Sequence, residues 1–260
     1  MEKLTIIKVG GKIVEEESSL QQLLNDFDHI SGNKLLVHGG GRSATAMASK
    51  LGIESKMVDG RRITDEAMLD VVTMVYAGLV NKKVVARLQA LGCNAVGFCG
   101  ADMDIIRAVK RPVKDIDYGL VGDVVDVNTK ELRVMIDQGV TPVIAPLTHD
   151  GHGQLLNTNA DTIASELAIE LAQHYKVRLI FCFEKDGVLA DPENDQSVIY
   201  ELDPALYRQY KEDGTIGAGM IPKLDNAFRA LNNGVNEVLI TNAANLTRPS
   251  ASGTVIRKAL

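Results

Sequence analysis

The chain has 260 residues, a formal net charge of −6 and an aromatic content of 4%. That length allows one large α/β domain or two lobes with a full core, whereas the acidic balance and the scarcity of rings exclude a surface that tracks nucleic-acid phosphates or stacks on bases. No apolar run approaches membrane-spanning length, and Met1-Glu2-Lys3 leads directly into a strand pattern without a signal-peptide core, so the expectation is a cytoplasmic protein with no membrane partner.

Strand and helix patterns alternate along the chain, which predicts a mainly parallel sheet covered by helices on both faces. The first strand, Leu4 to Val9, is a β-branched run closed by Gly10-Gly11, and it carries Lys8 near its end. A lysine there either snorkels to water or joins glycine amides around an anion. A helix over 17–30 follows, with Leu20, Leu23, Leu24 and Phe27 on one stripe. The second strand, Lys34 to Val37, runs into His38-Gly39-Gly40-Gly41-Arg42 and then into a small-residue helix over 43–51. Three glycines at a strand-to-helix turn imply close approach by a backbone or a ligand. Gly39-x-Gly41-x-x-Ala44, with Asp59 about twenty residues on, also satisfies the loose dinucleotide-binding fingerprint, so a Rossmann oxidoreductase is an alternative. Against it, that fingerprint normally opens its βαβ unit, and here a glycine-marked strand with Lys8 precedes it.

The segment 65–91 reads as one helix that is apolar on two sides through Met68, Leu69, Val71, Val72, Met74, Val75, Leu79 and Val80; it is either a core helix or a subunit interface. A strand over 94–98 follows, and short runs broken by Pro112, Gly119 and Gly122 predict hairpins that project over a ligand. After a helix over 129–138 and a strand over 141–145, a polar loop holds His149 and His152, which lack a third ligand nearby and make a weak case for metal. Asn157, Asn159 and Asp161 then crowd the start of an amphipathic run; Asn159 suits an N-cap and Asp161 a first turn, and capping does not explain Asn157. A strand over 177–183, a turn at 184–187, the glycine-rich segment Gly214 to Lys223 with a helix after it, and a last strand over 237–241 complete the pattern. Cys93, Cys99 and Cys182 are odd in number and lack metal spacing, so they read as reduced thiols.

Lys8-Val9-Gly10-Gly11, His38-Gly39-Gly40-Gly41, Gly60-Arg61-Arg62-Ile63-Thr64, Asn81-Lys82, Leu156-Asn157-Thr158-Asn159-Ala160-Asp161 and Gly219-Met220-Ile221-Pro222-Lys223, in this order over nearly the whole chain, resemble the amino-acid kinase family in its acylglutamate kinase branch. The resemblance implies an open αβα sandwich, with an N-terminal lobe (1–174) that holds the acyl-amino acid and a C-terminal lobe (175–260) that holds ATP. It implies ATP-dependent phosphorylation of the side-chain carboxylate of an N-acyl-L-glutamate, acetyl or succinyl, in the second step of arginine and ornithine biosynthesis, with Mg²⁺ carried mainly on the nucleotide phosphates and no protein metal site. It further implies that Lys8 and Lys223 stabilise the phosphoryl group in transfer and that Asp161 holds both lysines. Gly40, Gly41, Arg62 and Asn157 would then contact the substrate. Gly10 and Gly11 would cradle phosphate, and Glu184, Lys185, Asp186, Gly187, Val188 and Leu189, with Thr215, Ile216 and Gly217, would bind the nucleotide.

Two departures from the family pattern matter. Relatives carry a Ser/Thr-Asp pair where this chain has Phe183-Glu184, which unsettles the nucleotide contacts there. Arg61 stands where the family has a leucine that lines the acetyl pocket. Turned outward it snorkels; turned inward it favours a substrate with a second carboxylate on its acyl arm. The short N-terminus leaves no room for the extra helix of arginine-inhibited relatives, so the expectation is a homodimer without arginine feedback. Another acid, carbamate or nucleotide kinase of the same fold, and a silent nucleotide sensor, are the remaining alternatives.

Overall fold

The computed structural model describes residues 1–58, 60–217, 219–246 and 253–259; Asp59, the ribose-position acid of the oxidoreductase alternative, and Ala218 lie outside them. The backbone forms one eight-stranded sheet. From edge to edge its strands are Glu201–Leu202, Thr254–Ile256, Glu237–Asn242, Lys176–Phe183, Lys3–Val9, Asn33–His38, Thr141–Ile144 and Ala95–Phe98. Neighbours run parallel except Thr254–Ile256 against Glu237–Asn242. The strand over 237–241 is therefore not the last, because Thr254–Ile256 returns antiparallel beside it; three residues offer too short a pattern to read.

Sheet parity decides which side of the molecule each strand residue serves. Leu4 and Ile6 of the first strand join a core with Ile163, Leu167 and Leu224 of the helices Ala160–Leu171 and Ile221–Asn232. Ile7 and Val9 point the other way, to Leu20, Leu24 and Phe27 of the helix Glu17–Asp28 and to Val71, Val75 and Val84. The one sheet continues across residue 174, so a division into two lobes concerns the loops above the strand ends.

The helical segment 66–90 is continuous, but its centre, Thr73–Val80, adopts the wider π turn between the α-helices Glu66–Val72 and Asn81–Ala90. One apolar side packs on the sheet through Val71, Val75 and Val84, while Met74 and Leu79 on the other side are 54% and 44% exposed.

The predicted projecting hairpin is the antiparallel pair Ile106–Lys110 and Gly122–Val127. It belongs to a four-stranded sheet that also contains Leu147–His149 and Leu155–Asn157, so the polar loop with the two histidines is itself the end of a hairpin. His149 Nε2 lies 2.8 Å from Asp104 Oδ1, and His152 is exposed. The small sheet is tied to the strand end of Arg62 by Thr64 N–H to Tyr118 O (2.9 Å) and by Leu120 N–H to Thr64 O (2.6 Å). Gly119 makes this seam possible: its φ is +73°, and a Cβ there would stand 2.2 Å from Thr64 O. All three cysteines are free thiols, with Cys93 and Cys182 buried; burial pushes the Cys182 thiol up to about 12.

Candidate active site

Lys8 shares the face of Leu4 and Ile6 by alternation, and so it meets the start of the Ala160–Leu171 helix rather than water. Asn159 caps that helix by accepting from Asp161 N–H (2.8 Å) and Thr162 N–H (3.1 Å), which sets Asp161 in the first turn. The Asp161 carboxylate lies between two ammonium groups. Lys223, in the first turn of the Ile221–Asn232 helix, donates to Oδ2 at 2.8 Å. Lys8 Nζ approaches Oδ1 at 2.7 Å in an ion contact that is off the hydrogen-bonding direction. Six residues beyond Lys223, Arg229 grips Glu166 with both nitrogens, Nη2 to Oε2 at 2.9 Å, and so clamps the two helices in register.

Burial sets the electrostatics of this triad. It pushes the Lys8 ammonium below its ordinary 10.5; Asp161 pulls against that shift and Lys223 adds to it. For Asp161, burial works to raise the carboxyl, but Lys8 and Lys223 outweigh it and hold the group at about 2. The side chains of Lys8 and Asp161 are 9% and 8% exposed, and that of Lys223 is 27% exposed.

A cavity of about 190 Å³ lies beside the triad, lined by Gly39, Gly40, Gly41, Arg61, Arg62 and Asn157 among others. Two helix N-termini face it, those of Gly41–Lys50 and Ala160–Leu171, and both favour an anion. Buried Arg62 is held by Gly41 O (2.7 Å), by Thr45 Oγ1 (2.9 Å) and by Ser55 Oγ. Among the described residues it has no carboxylate partner, so its charge is left for a ligand. Asn157 Nδ2 donates to Thr64 Oγ1 at 3.0 Å, which orients the amide that capping left unexplained. The glycine loops abut: a Cβ on Gly39 would stand 3.1 Å from Gly11 N, and one on Gly11 would stand 3.6 Å from the amide nitrogens of both Gly40 and Gly41. Gly10 N–H is already taken by Cys182 O at 3.0 Å, which leaves the Gly11 amide as the member of that pair facing the second loop.

A second cavity, of about 200 Å³, is lined by Lys185, Gly187, Val188, Leu189, Thr215, Ile216 and Gly217, together with Phe183, Pro192 and Met220. Seven of the nine residues expected at the nucleotide are thus brought together on mainly apolar walls. Glu184 and Asp186 are not among the lining residues. Glu184 turns to Lys12 (2.9 Å) and Arg42 (3.8 Å), and Asp186 accepts from Asn245 Nδ2 at 3.1 Å. Gly187 has a structural task as well, since a Cβ there would stand 2.7 Å from Thr254 Oγ1.

Arg61 is exposed, yet it lines both the 190 Å³ cavity and an adjoining open one shared with Arg111, Lys114 and Tyr118. Tyr76 and Arg111 line the cavity of Arg62 and Asn157 without having been singled out in the sequence. The one signal for Tyr76 is a lone ring in an otherwise aliphatic helical stretch; Arg111 has none, because only the small sheet carries it there.

The Amino acid kinase family, compared as a sequence model, matches residues 3–242, and the chain belongs to that family. The chain is 62% identical to the acetylglutamate kinase of Phocaeicola vulgatus over 257 residues, covering 99% of each. It is likewise 62% identical to the acetylglutamate kinase of Bacteroides thetaiotaomicron, again over 99% of each. Among solved structures it resembles smu.665 from Streptococcus mutans UA159, with a TM-score of 0.81 and 25% identity over 97% of this chain and 98% of that one. The family read from the motifs is thereby established, and the oxidoreductase alternative falls. Among the described residues no helix is long and apolar enough to cross a membrane.

The depressed Asp161 carboxyl has a consequence for stability. Its folded value of about 2 lies below the ordinary 3.8, so the unfolded chain binds this proton more tightly than the folded one. The contribution is complete above about pH 4 and is lost as the pH falls through about 2. Urea denaturation of wild type and Asp161→Asn across pH 2 to 6 should show a stability difference that shrinks by about 2 kcal/mol toward the acid end. A difference independent of pH would mean that the two lysines do not hold the carboxylate in the folded protein.

Proposed function

We propose that the protein transfers the γ-phosphoryl group of ATP to the side-chain carboxylate of an N-acyl-L-glutamate, giving the acyl phosphate and ADP in the second step of arginine and ornithine biosynthesis. The observation that carries this is the pair of ammonium groups on one buried carboxylate, set beside a cavity with a buried guanidinium that lacks a carboxylate partner among the described residues. The full-length likeness to proteins named acetylglutamate kinase supports the same reading.

A side-chain carboxylate has a reference pKa of about 4.3 and is already ionised near neutrality, so no general base is required. One of its oxygens attacks the γ-phosphorus, the bond to the β-phosphate oxygen breaks, and no proton moves. The difficulty is that two anions must meet in line, and the remedy is positioning and charge stabilisation. Lys8 and Lys223 stabilise the group in transfer, and Asp161 keeps both lysines charged and aimed. Arg62, Asn157, Gly40 and Gly41 hold the acyl-amino acid, and Gly11 with its neighbour Gly10 lies on the phosphate path. The cavity of Lys185, Gly187 to Leu189 and Thr215 to Gly217 takes the nucleotide, so residues 1–174 serve the acid and 175–260 serve ATP.

Mg²⁺ fits this site as a passenger on the nucleotide. Among the described residues no three His, Cys, Asp or Glu side chains gather as ligands, and both Asp161 oxygens face lysines. When bound, the ion supplies charge neutralisation at the phosphates. This reading places the enzyme in the cytoplasm, where ATP is available. The exposed Met74 and Leu79 on the outer side of the 66–90 helical segment supply the apolar face of a homodimer.

The acyl group is where this chain has its own chemistry. Arg61 and Arg111 both line the substrate cavity and continue into the adjoining open one, where with Lys114 they outnumber Asp115 and Asp123, so the acyl end of the site carries an excess of positive charge. Arg111 is paired with Asp123 through both Nε (3.0 Å) and Nη2 (2.5 Å), and its buried Nη1 is the nitrogen without a partner. A carboxylate on the acyl arm would neutralise Arg61 and give Arg111 Nη1 an acceptor. N-succinyl-glutamate is therefore a substrate alongside N-acetyl-glutamate.

Four tests follow from this reading. With hydroxylamine as a trap, wild type should consume ATP and yield the hydroxamate. Lys8→Ala and Lys223→Ala should lower kcat on the order of 10²–10³-fold with little change in substrate binding; weakened binding at normal turnover would refute their roles. For the acyl arm, kcat/KM for the succinyl substrate should equal or exceed that for the acetyl substrate, and Arg61→Leu should shift the ratio toward acetyl. A wild type that favours acetyl about tenfold, with a ratio unmoved by the mutation, would return Arg61 to the surface. Finally, sedimentation should give a dimer that Leu79→Glu dissociates; a monomeric or hexameric wild type would rule out that interface.

A further inference from the structure

The Asn81-Lys82 pair belongs to the motif set, yet the chemistry above makes no use of it, nor of His38. His38 and Asn81 are 0% and 1% exposed, and their side chains meet. His38 Nδ1 lies 2.7 Å from Gly39 O, which can only accept, so Nδ1 carries the proton and Nε2 is the acceptor. Asn81 Nδ2 faces that acceptor at 3.1 Å and also donates to Val143 O at 2.9 Å. Tautomer and amide orientation thus fix each other. The opposite strand leaves the amide little room: a Cβ on Gly97 would stand 1.8 Å from Asn81 Oδ1. Asn81 follows directly on the π-helical stretch Thr73–Val80, a form that recurs at functional sites. Within that stretch the Tyr76 ring covers Gly40, where a Cβ would stand 3.0 Å from it.

We propose that His38 and Asn81 are a positioning pair that holds the loop Gly39-Gly40-Gly41 in the acyl-amino-acid site, and through Gly41 O holds Arg62. The proposal rests on the reading of that cavity given above. Its physical content is a chain of contacts. Asn81 fixes the imidazole, the imidazole fixes the Gly39 carbonyl, and the loop so set presents Gly41 O to Arg62 Nη2 at 2.7 Å. Glycine has no side chain to anchor it, and three in a row need an outside restraint to keep one conformation. The imidazole is held neutral: burial pushes it down to about 4, against the pull of the Gly39 carbonyl and with repulsion from Lys82 in addition. Lys82 is the charged side chain that bears on it, with Nζ 3.2 Å from Gly97 O, and strand one presents only Val9 beside it.

The tautomer can be read directly in ¹⁵N-histidine spectra of the wild-type protein, which should show one neutral, non-titrating histidine protonated on Nδ1 between pH 5.5 and 8. An Nε2-protonated form, or no such histidine, overturns the proposal. In kinetics, Asn81→Leu should raise KM for the acyl-glutamate on the order of 10- to 100-fold while KM for ATP stays near the wild-type value. Asn81→Asp should add an ionisation between pH 5 and 8 to the kcat/KM profile, because a carboxylate facing Nε2 makes that nitrogen a donor and draws a second proton onto the ring. His38→Asn, which keeps an N–H for Gly39 O, should recover part of the KM lost in His38→Leu. Equal rises in both KM values, or a folded Asn81→Leu with unchanged KM, would overturn the positioning role. Failure of all four variants to fold would assign the pair to stability instead. A wild type without acylglutamate kinase activity would sink the proposed function, and the spectra would still report on the pair.

Discussion

One buried carboxylate must hold two ammonium groups, and much of the structure answers to that requirement. Taking ions out of water costs several kcal/mol each, so such a group persists only in close pairing. Lys8 and Lys223 both approach Asp161 within 3 Å, from chain segments that are remote in sequence. Strand parity points Lys8 inward, the Asn159 cap starts the helix of Asp161 at the right residue, and the Glu166–Arg229 clamp fixes the helix of Lys223 against it. Two cations on one anion leave one net positive charge, which suits a region where a second anion must arrive.

On the substrate side, the same logic is expressed through backbone rather than side chains. Two helix N-termini and two glycine loops converge, and a side chain at 39 would crowd the backbone of Gly11, with its Cβ 3.1 Å from that nitrogen. Arg62 supplies full charge where dipoles supply partial charge. A carbonyl and the hydroxyls of Thr45 and Ser55 hold it, and these orient the guanidinium without neutralising it.

On the nucleotide side, the departure at Glu184 has a geometric account. Its carboxylate crosses to Lys12 and Arg42, and so joins the turn after the Lys176–Phe183 strand to the first turns of the helices Gly11–Glu15 and Gly41–Lys50 that follow the first two strands. Those side chains are 41% to 66% exposed, so the pairs add little to stability. The walls of the cavity of Lys185 and Thr215 are instead mainly apolar, from Phe183, Val188, Leu189, Ile216 and Met220, and that acid is not among them.

The alternation of strands and helices, the glycine-marked turns, the Asn159 cap and the family were all legible in the sequence, because each is written in local periodicity or in contiguous motifs. The 66–90 helical segment was legible in extent, but not in its π-helical centre, since both forms bury much the same apolar stripe. The hairpin at 147–157, the strand Thr254–Ile256 and the site roles of Tyr76 and Arg111 were not legible. The sequence by itself determined the type of sheet and the chemical inventory: two lysines, an aspartate, an arginine and the glycine loops. Only the tertiary structure decided that both lysines share one carboxylate, that among the described residues Arg62 lacks a carboxylate partner while Glu184 has cationic ones, and that His38 is locked by Asn81. The reason is physical: pairing between charges depends on distance and burial, and residues far apart along the chain acquire both only when the sheet and its two layers of helices close around them.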